Sequence, residues 1–235
     1  MIIAGLQKTT LIDYPGKIAC VVFLAGCNFR CSWCYSAELV LPERIMKQPR
    51  LKEEEIFDFL RKRKGMLEGV VICGGEPTIN KDLPQLIQKI KNLGYSVKLD
   101  TNGSNPKMLK SLVETNLVDY VAMDIKMNSR KEYEDIMIEG VKLADIKESV
   151  EFLKRGAVDF EFRTTVVPGI HSKEEFLEIA KWIGGQNVKY YLQSFVPLKT
   201  IDPEFEKVKP FPKEFLEEIV KEIAPHFKIC QLRNS

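Results

Sequence analysis

Ile18-Ala19-Cys20-Val21-Val22-Phe23-Leu24-Ala25-Gly26-Cys27-Asn28-Phe29-Arg30-Cys31-Ser32-Trp33-Cys34 is the stretch on which the rest of the chain turns. Residues 18–24 form an apolar, β-branched run of strand length, and it empties into a short polar loop carrying three thiols. Their spacing is Cys-x3-Cys-x2-Cys. The chain has six cysteines in all, with Cys20, Cys73 and Cys230 lying outside the loop. In a reducing compartment, clustered thiols are metal ligands or catalytic groups before they are disulfides. A closed structural zinc site needs four ligands, yet both His, His171 and His226, are remote and no fourth Cys follows nearby. Three thiolates in a tight loop suit an iron–sulfur cubane with three irons protein-bound and a fourth left open for a small molecule.

Working outward, short β-branched runs alternate with longer amphipathic stretches, the pattern of βα units around a parallel sheet. The runs at 18–24, 69–73, 96–100, 117–124, 159–167 and 188–195 predict strands. Those at 52–64, 81–93, 106–115, 144–155, 173–183 and 212–223 predict helices, and 228–232 adds a short final strand. In the first helix Glu53, Glu54 and Glu55 open the run and Arg61, Lys62, Arg63 and Lys64 close it before Gly65. Acids at the start and bases at the end complement the helix dipole, and Gly65 serves as the left-handed cap. Six units of roughly 35 residues fill about 210, whereas a closed eightfold barrel takes about 250. The expected fold is therefore α/β, a partial (β/α)6 TIM-like barrel. Residues 5–18, with their Tyr14-Pro15-Gly16 turn, form an N-terminal hairpin over the barrel end.

The 235 residues fit one domain, and 45% apolar residues suffice for a sizeable core, so disorder is excluded as the main state. With 35 Lys and Arg against 33 Asp and Glu, the net charge of +2 gives no reason to expect nucleic acid or an acidic membrane surface as partner. No apolar run approaches the ~18 residues of a membrane span, and the first ten lack a signal-peptide core. The expected compartment is the cytoplasm.

In such a barrel the chemistry sits at the C-terminal ends of the strands. Gly74-Gly75-Glu76-Pro77 follows the second strand, where it can be an ordinary turn or a place where backbone approaches a ligand closely. Asp100-Thr101-Asn102-Gly103 follows the third, either as Asn-Gly turn chemistry or as part of the site. Asp124-Ile125-Lys126 ends the fourth, as a surface ion pair or as a pair turned inward. Arg163, in an otherwise apolar fifth strand, needs a partner if it faces inward and needs none outside. Cys20 and Cys230 sit among apolar neighbours and read as small hydrophobes, while Cys73 can line the pocket. His171 belongs to a loop or helix start.

Cys27, Cys31 and Cys34, with Trp33 before the last, resemble the Cys-x3-Cys-x-aromatic-Cys signature of the radical S-adenosylmethionine superfamily. The resemblance implies a [4Fe–4S] cluster on the three cysteines, S-adenosyl-L-methionine at its open iron, and one-electron cleavage to methionine and a 5′-deoxyadenosyl radical. It also implies the six-stranded partial barrel counted above. Gly74, Gly75 and Glu76 resemble the motif that holds the cofactor's ammonium group. Asp100, Thr101, Asp124 and Lys126 resemble segments of glycyl-radical-enzyme activases that flank its ribose, its methionyl group and an associated monovalent cation. Arg163 then lies near the carboxylate or nucleotide, and Trp33 and Tyr35 beside the cofactor.

Gly5-Leu6-Gln7-Lys8-Thr9-Thr10-Leu11-Ile12-Asp13-Tyr14-Pro15-Gly16 resembles the longer activating proteins of anaerobic ribonucleoside-triphosphate reductase and, more loosely, pyruvate formate-lyase activases. That implies an enzyme of one radical S-adenosylmethionine domain over residues 1–235, abstracting a glycine Cα hydrogen in a partner glycyl radical enzyme. A low-potential flavodoxin or ferredoxin would supply the electron. No side-chain acid or base is required, so no catalytic residue beyond the ligands and cofactor contacts is expected. Other readings are a small-molecule radical enzyme such as a deazaguanine-forming synthase, and a non-catalytic metal-binding or electron-transfer protein.

Overall fold

The computed structural model describes residues 1–128, 130–138 and 140–233. Its eight strands form a single sheet in chain order. Strand β1 (Ile3–Thr10) runs antiparallel to β2 (Ala19–Leu24). Strands β3 (Gly69–Gly74), β4 (Ser96–Thr101), β5 (Tyr120–Asp124), β6 (Asp159–Val166), β7 (Gly185–Ser194) and β8 (Phe227–Arg233) then join in parallel, each beside the one before. The sheet does not close, and β1 and β8 are its edges. The six expected strands are β2 to β7, and the short final run adds a seventh parallel strand.

The N-terminal hairpin forms, but its first strand lies within the sheet as an edge instead of across the barrel end. Pairing with β2 satisfies the backbone of β1, and Ile3 anchors it in the main core. Only the turn reaches over the end. There Tyr14, 3% exposed, packs its ring 6.1 Å from that of Tyr120.

Long helices cover the outer face: α3 (Glu53–Lys62), α4 (Leu83–Asn92), α5 (Pro106–Glu114), α7 (Leu143–Lys154), α8 (Lys173–Ile183) and α9 (Lys213–Ile223). Each presents an apolar stripe, as in α4, which buries Leu83, Leu86, Ile87 and Ile90. At roughly 1.5–3 kcal/mol per fully buried side chain, such stripes outweigh helix propensity in placing the helices. Gly65 takes the left-handed conformation, with φ +82°, but the helix already ends at Lys62 with Arg63 as its C-cap, two residues earlier than expected. Three shorter helices were not anticipated: α1 (Ala37–Val40), α2 (Pro42–Ile45) and α6 (Arg130–Ile136). The first two are single turns, and the α6 sequence is largely polar, so no apolar period announces them.

Alternation along the strands divides the side chains between two faces. Val22, Ile72, Leu99, Val121, Phe162 and Tyr190 point outward under the helices, where they join the main core. Tyr14, Ala19, Val21, Val71 and Tyr120 form a separate cluster on the inner face, with Phe23 and Cys73 packed against it. On β4 to β6 the same inner face carries Lys98, Asp100, Asp124, Glu161 and Arg163. Register pairs Lys98 with Tyr120, Asp100 with Ala122, and Asp124 with Arg163.

Candidate cofactor site

The cysteine loop leaves the C-terminal end of β2 and is held by backbone groups from distant segments. Arg30 Nη1 donates to the carbonyls of Cys27 and Phe29, both at 2.8 Å, and the Arg30 amide donates to the Ile136 carbonyl at 2.7 Å. On the far side, the amides of Ile201 and Asp202 donate to the carbonyls of Cys34 and Ser32. These bonds fix the loop backbone, and Cys27 Sγ accepts from Phe29 N at 3.3 Å. Cys31 is buried, and Cys27 and Cys34 are half-buried. Burial pushes the Cys27 and Cys31 thiols up to about 12 and raises Cys34 as well, with Lys126 opposing the shift at all three. A thiol in such surroundings gives up its proton to a metal, not to water. Among the described residues, no three His, Cys, Asp or Glu side chains are gathered around one ion. Three thiols in one dry loop under a lysine fit a polynuclear iron–sulfur cluster.

The Gly-Gly-Glu segment fastens to the root of that loop. The Gly75 amide donates to the Leu24 carbonyl at 2.9 Å, and the Glu76 amide to that of Gly26 at 2.7 Å. A Cβ on Gly74 would strike the Leu24 backbone, and one on Gly75 the Gly26 carbonyl. Both glycines thus serve a backbone-to-backbone approach within the protein. Glu76 is wholly buried, and its carboxylate accepts from Thr78 N, Thr78 Oγ, Thr101 Oγ1 and Asn102 N. Asn102 Nδ2 in turn donates to Asn28 Oδ1 at 2.9 Å, and Asn28 Nδ2 to Ser104 Oγ at 2.7 Å. Glu76 and Asn102 therefore tie the loops after β3 and β4 to the cysteine loop. Asn28 and Asn102 were not singled out in the sequence, where Asn in a polar loop carries no periodic signal.

Asp100, Asp124, Lys126 and Arg163 do converge. Arg163 points inward, its Nη1 donating to Asp100 Oδ2 at 3.0 Å and its Nε to Asp124 Oδ1 at 2.9 Å. Lys126 Nζ donates to Asp124 Oδ2 at 2.9 Å. Burial alone would raise the Asp124 carboxyl, but Arg163 and Lys126 outweigh it and hold it down at about 2. Lys98, a residue absent from the expected set, is 1% exposed and pairs with Asp100 Oδ1. Deeper on the same face, Glu161 accepts from Arg233 Nη1 and Nη2 at 2.6 and 2.9 Å and from the Tyr120 hydroxyl at 2.8 Å.

The two aromatic candidates separate. Trp33 is 5% exposed, with its ring 6.3 Å from both His171 and Phe205. Tyr35 is 59% exposed and lies within electrostatic reach of Cys73, Asp124, Arg163 and Lys126. Cys73 faces inward near Asp100, Arg163 and Lys98, while Cys20 and Cys230 join the helix-covered core. His171 does more than its position in a loop implied. Its Nδ1 accepts from Val167 N at 3.0 Å, which leaves Nε2 to donate to the Lys126 carbonyl at 2.7 Å, and burial lowers its pKa. With the Tyr133 hydroxyl, which accepts from Lys126 N at 3.0 Å, it fixes the Lys126 backbone.

Comparison with known proteins agrees with this geometry. The family model described as the Radical SAM superfamily matches residues 21–183. A protein of Methanocaldococcus jannaschii, provisionally named a glycyl-radical enzyme activating enzyme, is 34% identical over 91% of this chain and 87% of its own. The 7-carboxy-7-deazaguanine synthase of Thermococcus kodakarensis is 31% identical over 59% of this chain and 60% of its own. Among solved structures, QueE from Escherichia coli superposes with a TM-score of 0.59 at 18% identity, covering 98% of this chain and 92% of that one. A family match over most of the chain, with the three thiols at the end of the first parallel strand, decides the matter. The chain belongs to the radical SAM superfamily, whose enzymes use a [4Fe–4S] cluster and S-adenosylmethionine.

Proposed function

We propose that this enzyme activates a glycyl radical enzyme by removing a Cα hydrogen from one glycine of that partner, and that the partner is an anaerobic ribonucleoside-triphosphate reductase. The observation that carries the reading is the 34% identity, nearly end to end, with the Methanocaldococcus jannaschii relative of that provisional name. Cys27, Cys31 and Cys34 would ligate the cluster. Gly74, Gly75, Glu76, Asp100, Thr101, Asp124, Lys126 and Arg163, with Trp33 and Tyr35, would surround the cofactor, and residues 1–235 would act as one domain. The bound cofactors supply one-electron cleavage of a sulfonium and a carbon radical able to abstract hydrogen. The chain's own work is orientation and exclusion of water, for which a Cα–H substrate needs no general base. The sheet is open between β1 and β8, and a loop of the partner would enter from that side. A low-potential flavodoxin or ferredoxin would deliver the electron.

The test is anaerobic reconstitution with iron and sulfide, followed by addition of cofactor, dithionite and a candidate reductase. A glycyl-radical doublet in the electron paramagnetic resonance spectrum is expected, with 5′-deoxyadenosine as co-product. Cys31→Ala should lose both the brown absorbance and 5′-deoxyadenosine. Similarity to the 7-carboxy-7-deazaguanine synthase favours a second reading, radical chemistry on a small molecule. Cofactor cleavage without a radical on any glycyl partner, together with formation of 7-carboxy-7-deazaguanine or another small-molecule product, would select it.

A further inference from the structure

The associated monovalent cation implied by the resemblance does not fit the residues present. Asp100 and Asp124 together offer four carboxylate oxygens, and each already accepts from a cationic side chain of the protein. Lys98 Nζ and Arg163 Nη1 take the two of Asp100, while Arg163 Nε and Lys126 Nζ take the two of Asp124. The Lys98 ammonium sits at the end of a nearly inaccessible side chain, itself fixed on the inner face of a central strand between Val71 and Tyr120. Three cations, Lys98, Lys126 and Arg163, face two carboxylates, so one positive charge is left over without any inorganic ion.

We propose that the Lys98 ammonium occupies the place at Asp100 that a monovalent metal cation would otherwise fill, so that this chain binds S-adenosylmethionine without one. Lys98 acts through Asp100 and is a positioning residue. Taking a carboxylate out of water costs less where a fixed positive partner stands beside it. A lysine tethered in the sheet supplies that partner at no cost in capturing an ion, and its occupancy does not depend on salt. By linkage, a cation that occupies no site in the complex cannot alter cofactor affinity beyond general screening.

The proposal rests on cofactor binding alone and is independent of which partner is activated. The primary experiment uses the reconstituted wild-type enzyme. S-adenosylmethionine affinity is measured by titration calorimetry in potassium, sodium and N-methylglucamine chloride at matched ionic strength. The affinities should agree within about twofold, and a loss of about tenfold or more on removing alkali cations would overturn the proposal. The second experiment replaces the lysine. Lys98→Met should weaken binding in N-methylglucamine and recover on addition of potassium, while Lys98→Arg should remain insensitive to the cation. Unchanged affinity in Lys98→Met, or a loss that potassium does not restore, would count against it. The wild-type comparison stands even if the Met variant fails to fold.

Discussion

Asp124 and Arg163 face each other directly across the parallel pairing of β5 and β6, and the arginine Nε donates to Asp124 Oδ1 at 2.9 Å. The register of two neighbouring strands thus creates the ion pair. The same guanidinium reaches past β5 to Asp100 on β4, so one side chain binds together three successive strand ends.

Removing Arg163 leaves two carboxylates short of a partner in a largely buried site. Arg163→Met should destabilise the fold by about 3 kcal/mol, because stranding one side of a buried ion pair costs more than the pair contributes. Arg163→Lys keeps the charge but cannot reach both carboxylates through a planar fork, so cofactor affinity should fall even where stability is largely retained. Urea denaturation and calorimetric titration separate the two effects.

The depressed Asp124 carboxyl makes stability depend on acid. Its pKa falls from 3.8 unfolded to about 2 folded, so its stabilisation is complete above the unfolded value and is lost as pH falls from about 4 toward 2. The loss should amount to about 2 kcal/mol. Urea midpoints measured down this range should drop steeply in the wild type and more gently in Asp124→Asn.

Glu76 holds the loops after β3 and β4 together through four accepted hydrogen bonds, beside the cysteine loop proposed to carry the cluster. Glu76→Ala would orphan those donors in the interior, at a cost of roughly 1–3 kcal/mol for each group left unsatisfied. Iron content after reconstitution should fall, although the mutation removes no ligand. Glu76→Gln keeps an oxygen for the three donors at Oε1 but sets its amide N–H2 against Asn102 N–H, so it should recover only part of the iron. Iron content equal to wild type in the Ala variant would show that the loops hold without it.

Gly75→Ala tests the closeness of β3 to the cysteine loop. The added methyl meets the Gly26 carbonyl, a backbone atom with no freedom to rotate away. Overpacking of this kind costs typically 1–3 kcal/mol, and here it would push the segment after β3 away from the cysteine loop, the two segments proposed to flank the cofactor. Weaker cofactor binding with near-normal helix content by circular dichroism is the expected result.

The barrel was legible in the chain because parallel strands under helices must be apolar runs of fixed length, and because six such runs leave no residues for eight. The cysteine loop stood out because three thiols at close spacing are local information. Asp100, Asp124 and Lys126 stood at strand ends, so the rule that a barrel gathers those ends was enough to nominate them. Local pattern is silent on partners, and there tertiary structure alone decided. Whether Arg163 faces inward depends on the parity of its strand register, since a shift of one residue turns every side chain to the other face. Lys98 stands two residues before Asp100 on the same face of β4, and what tertiary structure decided is that this face, and so the lysine, is buried. Asn28, Asn102 and His171 act through hydrogen bonds to loops 45 to 76 residues away, and no sequence period records such contacts. Chemistry that lies in residue type and spacing is written in the chain, whereas chemistry that lies in which charge meets which exists only once the strands have paired.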